Sequence, residues 1–150
     1  MEVQFDKLLQ KLQKFCAYSE RSEYDVIAKL RQLKVDTNTI NKIINILKEE
    51  NFLNEERFVN SFINGKLNYN KWGKIKIIYE LRKKNISESL IQKAIDNIDN
   101  EKYKHILKDI IDKKEKTLKE ENSYSRNAKL VAYAISKGFE QDLIWQLIKE

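Results

Sequence analysis

The 150-residue sequence contains no proline and only three glycines. Proline and glycine mark turns and strand ends, so their scarcity disfavours a many-turned all-β architecture. Apolar residues instead recur three and four positions apart along most of the chain, which is the pattern of helices with one buried face. The sequence therefore predicts an all-α protein.

Residues that carry most enzymatic chemistry are equally scarce. There is one histidine, His105, and one cysteine, Cys16, so neither a zinc site nor a cysteine–histidine pair is expected. A single cysteine allows no internal disulfide, which is typical of a reducing compartment. The phosphate-binding motifs G-x-x-x-x-G-K-[ST] and G-x-G-x-x-G are both missing. We expect a protein that is not an enzyme and that needs no metal and no cofactor.

Long apolar segments are also missing from the sequence. No apolar run approaches the ~20 residues that span a bilayer. The first fifteen residues lack the basic start and apolar block of a secretory signal. We expect a cytoplasmic monomer without membrane contact.

Three windows of the sequence superpose after shifts of 51 and then 53 residues: Ser22–Leu47, Gly73–Ile98 and Arg126–Glu150. Apolar residues coincide at six positions in these windows. They are Tyr24/Ile75/Ala128, Ile27/Ile78/Val131, Leu30/Leu81/Ala134, Val35/Ile86/Phe139, Ile40/Ile91/Ile144 and Ile44/Ile95/Ile148. Each window predicts two helices separated by a short break.

The break in each window has the chemistry of a helix end. Gly138 stands where a left-handed residue is needed, and its counterpart Asn85 is the next most tolerant residue type. Lys34 occupies this position in the first window and matches less well. Polar residues that follow the break, including Asp36 and Ser87, are suited to start the next helix.

An apolar-periodic segment precedes each window, so each unit holds three helices in about fifty residues. The sequence predicts three tandem three-helix, helix-turn-helix-like repeats at residues 1–50, 51–100 and 101–150. Units of this size share buried surface with their neighbours. We expect one continuous, elongated and slightly curved arrangement.

Positive charge is concentrated in one stretch, KLNYNKWGKIKIIYELRKK, from Lys66 to Lys84. It holds seven basic residues and one acid, Glu80, and its net charge of +6 equals that of the whole chain. Cations beside an aromatic ring are suited to bind a nucleic-acid backbone, because they release counterions while the ring stacks on a base. A solvated helix face is the alternative interpretation, and Trp72 is open between core and contact.

The second half of this stretch, Trp72–Lys84, predicts a helix with Ile75, Ile78 and Leu81 facing inward. Lys76 and Lys83 then share the outer face. Glu80, four residues from both Lys76 and Lys84, is placed to neutralise either of them.

Several segments resemble, in order, those of the RecX family of bacterial regulatory proteins. YSERSEYDVIAKLRQLKV (Tyr18–Val35) resembles its opening signature, and NFLNEERFVNSFINGK (Asn51–Lys66) its "(F/Y)-L-(N/D)-(D/E)-x-R-F-A" segment. NKWGKIKIIYELRKKNI (Asn70–Ile86) is similar to "G-x-x-(R/K)-I-x-x-x-L-x-x-K-G-I", and SKGFEQDLIWQLI (Ser136–Ile148) to the C-terminal element. Val59 replaces the usual alanine and Asn85 the usual glycine.

The resemblance implies a modulator of the RecA recombinase. Members of this family lie in the groove of the RecA–single-stranded DNA filament, where they restrain strand exchange, ATP hydrolysis and coprotease activity in recombination, DNA repair and the SOS response. Some also contact single- or double-stranded DNA directly. We assign the filament-groove or nucleic-acid contact to eight residues of the basic stretch. They are Lys66, Lys71, Trp72, Lys74, Lys76, Arg82, Lys83 and Lys84.

Two other interpretations stay open at this point. Three helix-turn-helix-like pairs are consistent with a stand-alone DNA-binding protein, although the first unit has Glu23 and Asp25 where the second has Lys74 and Lys76. A general helical-repeat scaffold for another partner is the third possibility. For Arg57, we expect a structural ion pair with Glu55, Glu56 or the next unit.

Overall fold

The structure is a computed structural model that describes residues 2–119 and 122–149. Those residues form nine α-helices and no strand. The helices are α1 (Glu2–Tyr18), α2 (Glu23–Gln32), α3 (Thr37–Glu49), α4 (Glu55–Asn68), α5 (Lys74–Lys83), α6 (Glu88–Asp96), α7 (Asn100–Glu115), α8 (Ser123–Ser136) and α9 (Gln141–Lys149). The predicted all-α class, with three helices in each of three repeats, is confirmed. The repeat boundaries at residues 50 and 100 stay a prediction.

The break between the last two helices of each repeat has the same backbone conformation three times. Lys34, Asn85 and Gly138 all have positive φ angles, of 62°, 60° and 97°. The prediction for Gly138 and Asn85 is confirmed, and Lys34 adopts the conformation although lysine does so rarely. In the first break the amide of Val35 donates to the carbonyl of Leu30 at 3.0 Å. This is the bond of a Schellman motif that encloses the left-handed residue, and it helps to hold Lys34 in that conformation.

Side-chain caps begin the helices that follow two of these breaks. Asp36 accepts a hydrogen bond from the amide of Thr39 at 3.1 Å, and Ser87 accepts one from the amide of Leu90 at 3.3 Å. Each bond satisfies one of the amides that a helix leaves unpaired at its start. The sequence-based choice of Asp36 and Ser87 as helix starts is therefore confirmed.

Burial follows the predicted register of the repeats only in part, because the aligned residues Tyr24, Ile75 and Ala128 are all exposed. The equivalent residues Leu30, Leu81 and Ala134 are all fully buried. A further triplet, Val26/Ile77/Leu130, is buried as completely in each repeat. Equivalent positions therefore pack in the same way in the first helix of each pair.

The predicted inner face of α5 is partly wrong. Leu81 is buried, but Ile75 is 56% exposed and Ile78 is only partly covered, while Ile77 is fully buried in their place. The core stripe of α5 runs through Gly73, Ile77 and Leu81, which are spaced four residues apart, as one helix face requires. Isoleucines on two adjacent faces made the choice ambiguous in the sequence.

The chain divides into two compact units. The first comprises the chain up to Ser61 together with Lys84–Ile86, and the second comprises Phe62–Lys83 and the chain from Ser87 onward. The first unit has a continuous apolar core. Its buried members are Leu12, Cys16, Val26, Leu30, Ile40, Ile43, Ile44, Leu47 and Leu53.

Arg57 is a structural residue of the first unit. Its Nε donates to both carboxylate oxygens of Glu20 at 2.7 Å, and its Nη2 donates to the carbonyls of Asn51 at 3.0 Å and Phe52 at 3.3 Å. The expected ion pair exists, but its partner is Glu20 in the preceding repeat, so the partners named from the sequence were wrong. One guanidinium thus ties the start of α4 to the segment before α2.

The start of α2 forms what we call the first junction. Here Ser22–Asp25 lies beside the turn Lys84–Ile86, and Lys84 Nζ is 2.5 Å from Asp25 Oδ1. Ser22 and Asp25 also form a capping box, in which each accepts a hydrogen bond from the other's amide. Side-chain electrostatics therefore dominate this junction.

The start of α5 forms the second junction, with the same positions of the repeat, inside the second unit. Gly73–Lys76 lies against the turn Lys137–Phe139. The amide of Gly73 donates to the carbonyl of Lys137 at 2.7 Å, and the amide of Ile75 donates to that of Gly138 at 3.0 Å. A β-carbon at Gly73 would lie 2.3 Å from the Gly138 backbone, so only glycine permits this approach.

Candidate nucleic-acid interface

The basic stretch comprises the end of α4, a linker and α5. Lys66 lies in the last turn of α4, and the amide of Trp72 in the linker donates to its carbonyl at 2.9 Å. Lys71 has a positive φ of 56°, which turns the chain toward the start of α5. The linker therefore folds back on α4 and holds Trp72 close to lysines from both helices.

Trp72 lies next to lysine side chains from both α4 and α5. Its side chain is partly exposed, and the Nζ atoms of Lys66 and Lys76 each lie 4.6 Å from its ring centroid. Ammonium groups at this distance are attracted to the electron-rich face of an indole. Trp72 is thus a surface platform for two cations and not a core residue.

A cavity of about 420 Å³ adjoins this region in the second unit. It is lined by Lys71, Asp109, Ile110, Lys113, Lys114, Thr117, Tyr133 and Lys137. Four lysines therefore face one aspartate. The side chain of Asp109 is 3.1 Å from Lys113 Nζ, and this hydrogen bond, with the nearby charge of Lys71, lowers the pKa of Asp109. The cavity walls keep a net positive charge.

Lys137 connects the cavity with the second junction. Its Nζ donates to the carbonyl of Asn70 at 2.8 Å. Burial lowers the pKa of Lys137, and the positive charge of Lys76 lowers it further. The two lysines belong to adjoining segments, because the backbone and Cβ of Lys76 pack directly against Gly138.

We call Lys66, Lys71, Trp72, Lys76 and Lys137 the basic cluster. Four of its members were assigned from the sequence, and Lys137 was not, nor were the cavity residues Lys113 and Lys114. Lys137 lies far along the chain in the motif SKGF, where it looked like an ordinary helix-end residue. The pair Lys113–Lys114 was visible as a basic run, but nothing in the sequence placed it near Trp72.

Lys74 has a positional role in the same region. Its Nζ lies 4.6 Å from the ring centroid of Tyr103, and its amide donates to the Tyr103 hydroxyl at 2.9 Å. That hydroxyl in turn donates to the carboxylate of Glu140. Burial and this carboxylate raise the pKa of Tyr103, so the phenol stays protonated and keeps donating. Lys74 thus faces a structural aromatic residue.

The last three assigned cations already have acidic partners. Arg82 forms a two-pronged pair with Glu88, at 2.7 and 3.1 Å, and Lys83 Nζ is 3.5 Å from Glu80. Lys84 pairs with Asp25 at the first junction. Glu80 therefore neutralises Lys83, and the expectation that it would pair with Lys76 or Lys84 was wrong.

Residues 2–119 and 122–149 contain no group of three or more His, Cys, Asp or Glu that could hold a metal ion. Burial raises the pKa of the Cys16 thiol, which disfavours the reactive thiolate. No helix in these ranges combines the length and apolar character needed to cross a bilayer.

The helices and the charged surface together define a helical-repeat protein with a cation-rich region around the partly exposed indole of Trp72. Two family models match within the chain. The model for the second three-helix domain of RecX matches residues 54–95, and the model for the third three-helix domain of RecX matches residues 102–148. The chain belongs to the RecX family.

Individual relatives agree with this assignment. The chain is 35% identical over 132 residues to "Regulatory protein RecX" of Clostridium beijerinckii, covering 87% of this chain and 61% of that protein. It is 33% identical over 138 residues to the Clostridium tetani protein of the same name, covering 91% and 61%. The match thus spans about three fifths of the length of these relatives.

Two solved structures have the same fold. "Crystal structure of regulatory protein RecX" superposes with a TM-score of 0.88 at 21% identity, covering 98% of this chain and 74% of that one. The crystal structure of RecX from Lactobacillus salivarius gives a TM-score of 0.87 at 21% identity, covering 99% and 97%. At this level of identity the comparison concerns the fold alone.

Proposed function

We propose that this chain binds the RecA nucleoprotein filament and restrains RecA activity, including strand exchange, ATP hydrolysis and coprotease activity. It would do so as a cytoplasmic, non-enzymatic modulator in recombination, DNA repair and the SOS response. Membership of a family whose members are named regulatory proteins supports this proposal. The sequence motifs that resemble RecX segments supply the link to RecA.

The observation that carries the proposal is the unneutralised charge of the basic cluster. Among the residues that the structure describes, no carboxylate forms an ion pair with Lys66, Lys76 or Lys137. A filament built on single-stranded DNA presents phosphates, and free ammonium groups gain affinity by releasing the counterions of those phosphates. The paired cations Arg82, Lys83 and Lys84 have less to offer such a ligand.

The direct test follows ATP hydrolysis by RecA on single-stranded DNA while the chain is added. We expect hydrolysis to decline at ratios well below one chain per RecA protomer, because a filament regulator acts on an assembly. A variant that replaces Lys71 and Lys76 with glutamate should inhibit far less. Unchanged hydrolysis at one chain per protomer would contradict the proposal.

A stand-alone DNA-binding protein is the second candidate, and the basic cluster also favours it. The first helix pair does not, since α2 has Glu23 and Asp25 in its first turn where α5 has Lys74 and Lys76. Binding to DNA in the absence of RecA, with no effect on RecA hydrolysis, would support this candidate over the first.

A further inference from the structure

The two junctions use equivalent residues with different charges. Asp25 and Lys84 of the first junction correspond, by shifts of 51 and 53 residues, to Lys76 and Lys137 of the second. The first pair is an ion pair at 2.5 Å. The second is a pair of like charges on adjoining residues, because Lys76 packs directly against Gly138, the neighbour of Lys137. An acid at position 76 would favour the fold, and a lysine is present instead.

The helix that carries Lys76 makes the contrast sharper. The first turn of α2 contains Glu23 and Asp25, as the positive end of a helix dipole favours. The first turn of α5 contains no acid and two lysines, Lys74 and Lys76. The helix dipole and the two lysines therefore attract an anion to this place. The nearby Glu140 carboxylate accepts from the Tyr103 hydroxyl, which itself accepts from the Lys74 amide, and no carboxylate among the described residues forms an ion pair with Lys76 or Lys137.

The backbone amides at the start of α5 are already in use. The amides of Gly73 and Ile75 donate to the carbonyls of Lys137 and Gly138, and the amide of Lys74 donates to the Tyr103 hydroxyl. An anion at this position would consequently be held by ammonium groups and not by a cradle of amides. Such a site is suited to a chain of phosphates, each bound weakly, more than to one tightly held free phosphate.

We propose that Lys76 and Lys137 form a binding site for the phosphodiester backbone of single-stranded DNA, with Lys71 beside them. Trp72 lies within reach of the same strand, because Lys76 Nζ is 4.6 Å from its ring centroid. A partly exposed indole can stack on an unpaired base, which a duplex does not present. The site deepens the proposed function by naming its DNA-contacting residues.

The central test is the variant Lys76→Asp, which restores the charge pattern of the first junction. Affinity is measured by fluorescence anisotropy with a labelled oligothymidylate of about fifteen nucleotides at several salt concentrations, and folding by thermal unfolding without DNA. We expect affinity to fall at least about tenfold, and the salt slope to fall by about one to two charges, since the introduced carboxylate would also neutralise Lys137. The melting temperature should stay the same or rise.

Opposite responses of affinity and stability separate a binding role from a structural one. A lower melting temperature together with weaker binding would mean that Lys76 maintains the fold, and it would overturn the proposal. Unchanged affinity would overturn it too. Lys137→Gln is a second, independent variant of the site, and we expect its affinity to fall at least about threefold with part of the salt slope lost.

The control variant is Lys42→Asp, which makes the same change in net charge at an exposed position of α3. Its affinity should stay within about twofold of the original, because Lys42 is an exposed charge that does not belong to the basic cluster and is screened at physiological salt. An equal loss of affinity in Lys42→Asp and Lys76→Asp would reduce the effect to net charge and contradict the proposed site.

Two further measurements identify the ligand. Quenching of Trp72 emission by the oligonucleotide, in a chain carrying Trp145→Phe, should disappear in Lys76→Asp. Inorganic phosphate at about 1 mM should not displace the oligonucleotide; displacement would indicate a free-anion site and overturn the proposal. Weaker binding of Lys76→Asp to RecA filaments with unchanged oligonucleotide affinity would point to an acidic protein surface and overturn it as well.

These outcomes are distinct from the test of RecA inhibition. If the unmodified chain inhibits RecA while Lys76→Asp binds oligonucleotide normally, the DNA site is wrong and the proposed function stands. If the chain leaves RecA hydrolysis unchanged while Lys76→Asp loses DNA affinity, the site stands and the proposed function is wrong.

Discussion

The first and second junctions join equivalent positions of the repeat by different forces. At the first, Lys84 pairs with a half-buried Asp25, whose carboxylate also accepts from the Ser22 amide. At the second, the contact is made by backbone hydrogen bonds and by the close approach of Gly73 to Gly138. The same repeat geometry is thus compatible with an ion-paired junction and with a junction held by backbone hydrogen bonds.

This difference determines where charge is available for binding. Ion pairing uses both charges of the first junction, and neither is left for a ligand. Backbone bonding holds the second junction, and Lys137 adds one hydrogen bond from its Nζ to the carbonyl of Asn70. Among the described residues, neither Lys76 nor Lys137 forms an ion pair there, so the charge of Lys76 is not needed for the contact. The basic cluster can exist because glycine and main-chain bonds have replaced side-chain electrostatics there.

The largest effect is expected from a substitution that disrupts the second junction by steric overlap, without changing any charge. Gly73→Ala would place a β-carbon 2.3 Å from the carbonyl carbon and oxygen of Gly138 and 2.4 Å from the amide nitrogen of Phe139. Backbone atoms cannot move away cheaply, so we expect the free energy of unfolding to fall by about 2–4 kcal/mol. Urea unfolding followed by circular dichroism measures this change.

Gly65→Ala is the matched control for that substitution. No atom lies within 4 Å of the added β-carbon at Gly65, which is inside helix α4. Alanine there should raise the free energy of unfolding by about 0.5–1 kcal/mol, because glycine weakens a helix interior. If the two variants proved equally stable, the close approach at the second junction would not be a real constraint.

The second-largest effect is expected from a substitution that removes the positive charge of the first junction. Lys84→Met keeps the aliphatic stem but leaves Asp25 unpaired, and the Asp25 side chain is only 19% exposed. We expect a loss of about 1–3 kcal/mol in the free energy of unfolding, since an unpaired charge remains in a partly buried site. Urea unfolding at neutral pH provides the measurement.

Arg82→Met serves as its control at an exposed ion pair. Arg82 and Glu88 have side chains that are 60% and 66% exposed, so water compensates either charge when the other is removed. The loss there should be far smaller than that of Lys84→Met, because an exposed ion pair contributes little to stability. Equal losses for Lys84→Met and Arg82→Met would show that the first junction does not depend on its ion pair.

The sequence predicted those parts of the fold that local patterns determine. Shifts of 51 and 53 residues aligned the three left-handed positions, Lys34, Asn85 and Gly138, because the same helix end recurs at each. The inner face of α5 was harder, since Ile75, Ile77 and Ile78 offer two overlapping stripes. The close packing of Gly73 at the second junction selects Ile77, and this contact joins residues far apart in the chain.

The candidate site was predictable only in part for the same reason. The concentration of lysines and the adjacent Trp72 were visible in the sequence. Which of them carry free charge depends on Glu88, six residues from Arg82, on the distant partner Asp25, and on Lys137, which joins the cluster from the third repeat. Charge counted along the sequence therefore overstates the part of the stretch that can bind an anion.

Two carboxyl groups near the start of α2 should give this region a pH dependence of its own. Burial favours the protonated form of Asp25, but hydrogen bonds from Lys84 and the Ser22 amide outweigh it and lower the pKa below the ordinary 3.8. Glu55 accepts from the Glu23 amide at 2.9 Å, yet burial raises its pKa above the ordinary 4.5, with a further contribution from the Glu23 charge. The two groups therefore respond to acid in opposite senses.

The smallest effects are expected in the free energies of unfolding of Asp25→Asn and Glu55→Gln, each compared with the original chain from pH 7 to pH 3. A lowered pKa stabilises the fold above pH 3.8 and ceases to do so as pH falls through the folded value, so Asp25→Asn should be less stable at neutral pH and converge with the original chain in acid.

The raised pKa of Glu55 gives the opposite dependence of stability on pH. Its stabilising effect is complete below pH 4.5 and is lost as pH rises through the folded value, so Glu55→Gln should be the more stable chain at neutral pH and lose that advantage in acid. Urea unfolding across the range measures both differences. The second junction is held by backbone hydrogen bonds, which do not titrate. The stability differences of Asp25→Asn and Glu55→Gln should therefore stay the same when either is combined with Lys76→Asp. A change would mean that the charges of the two junctions are coupled.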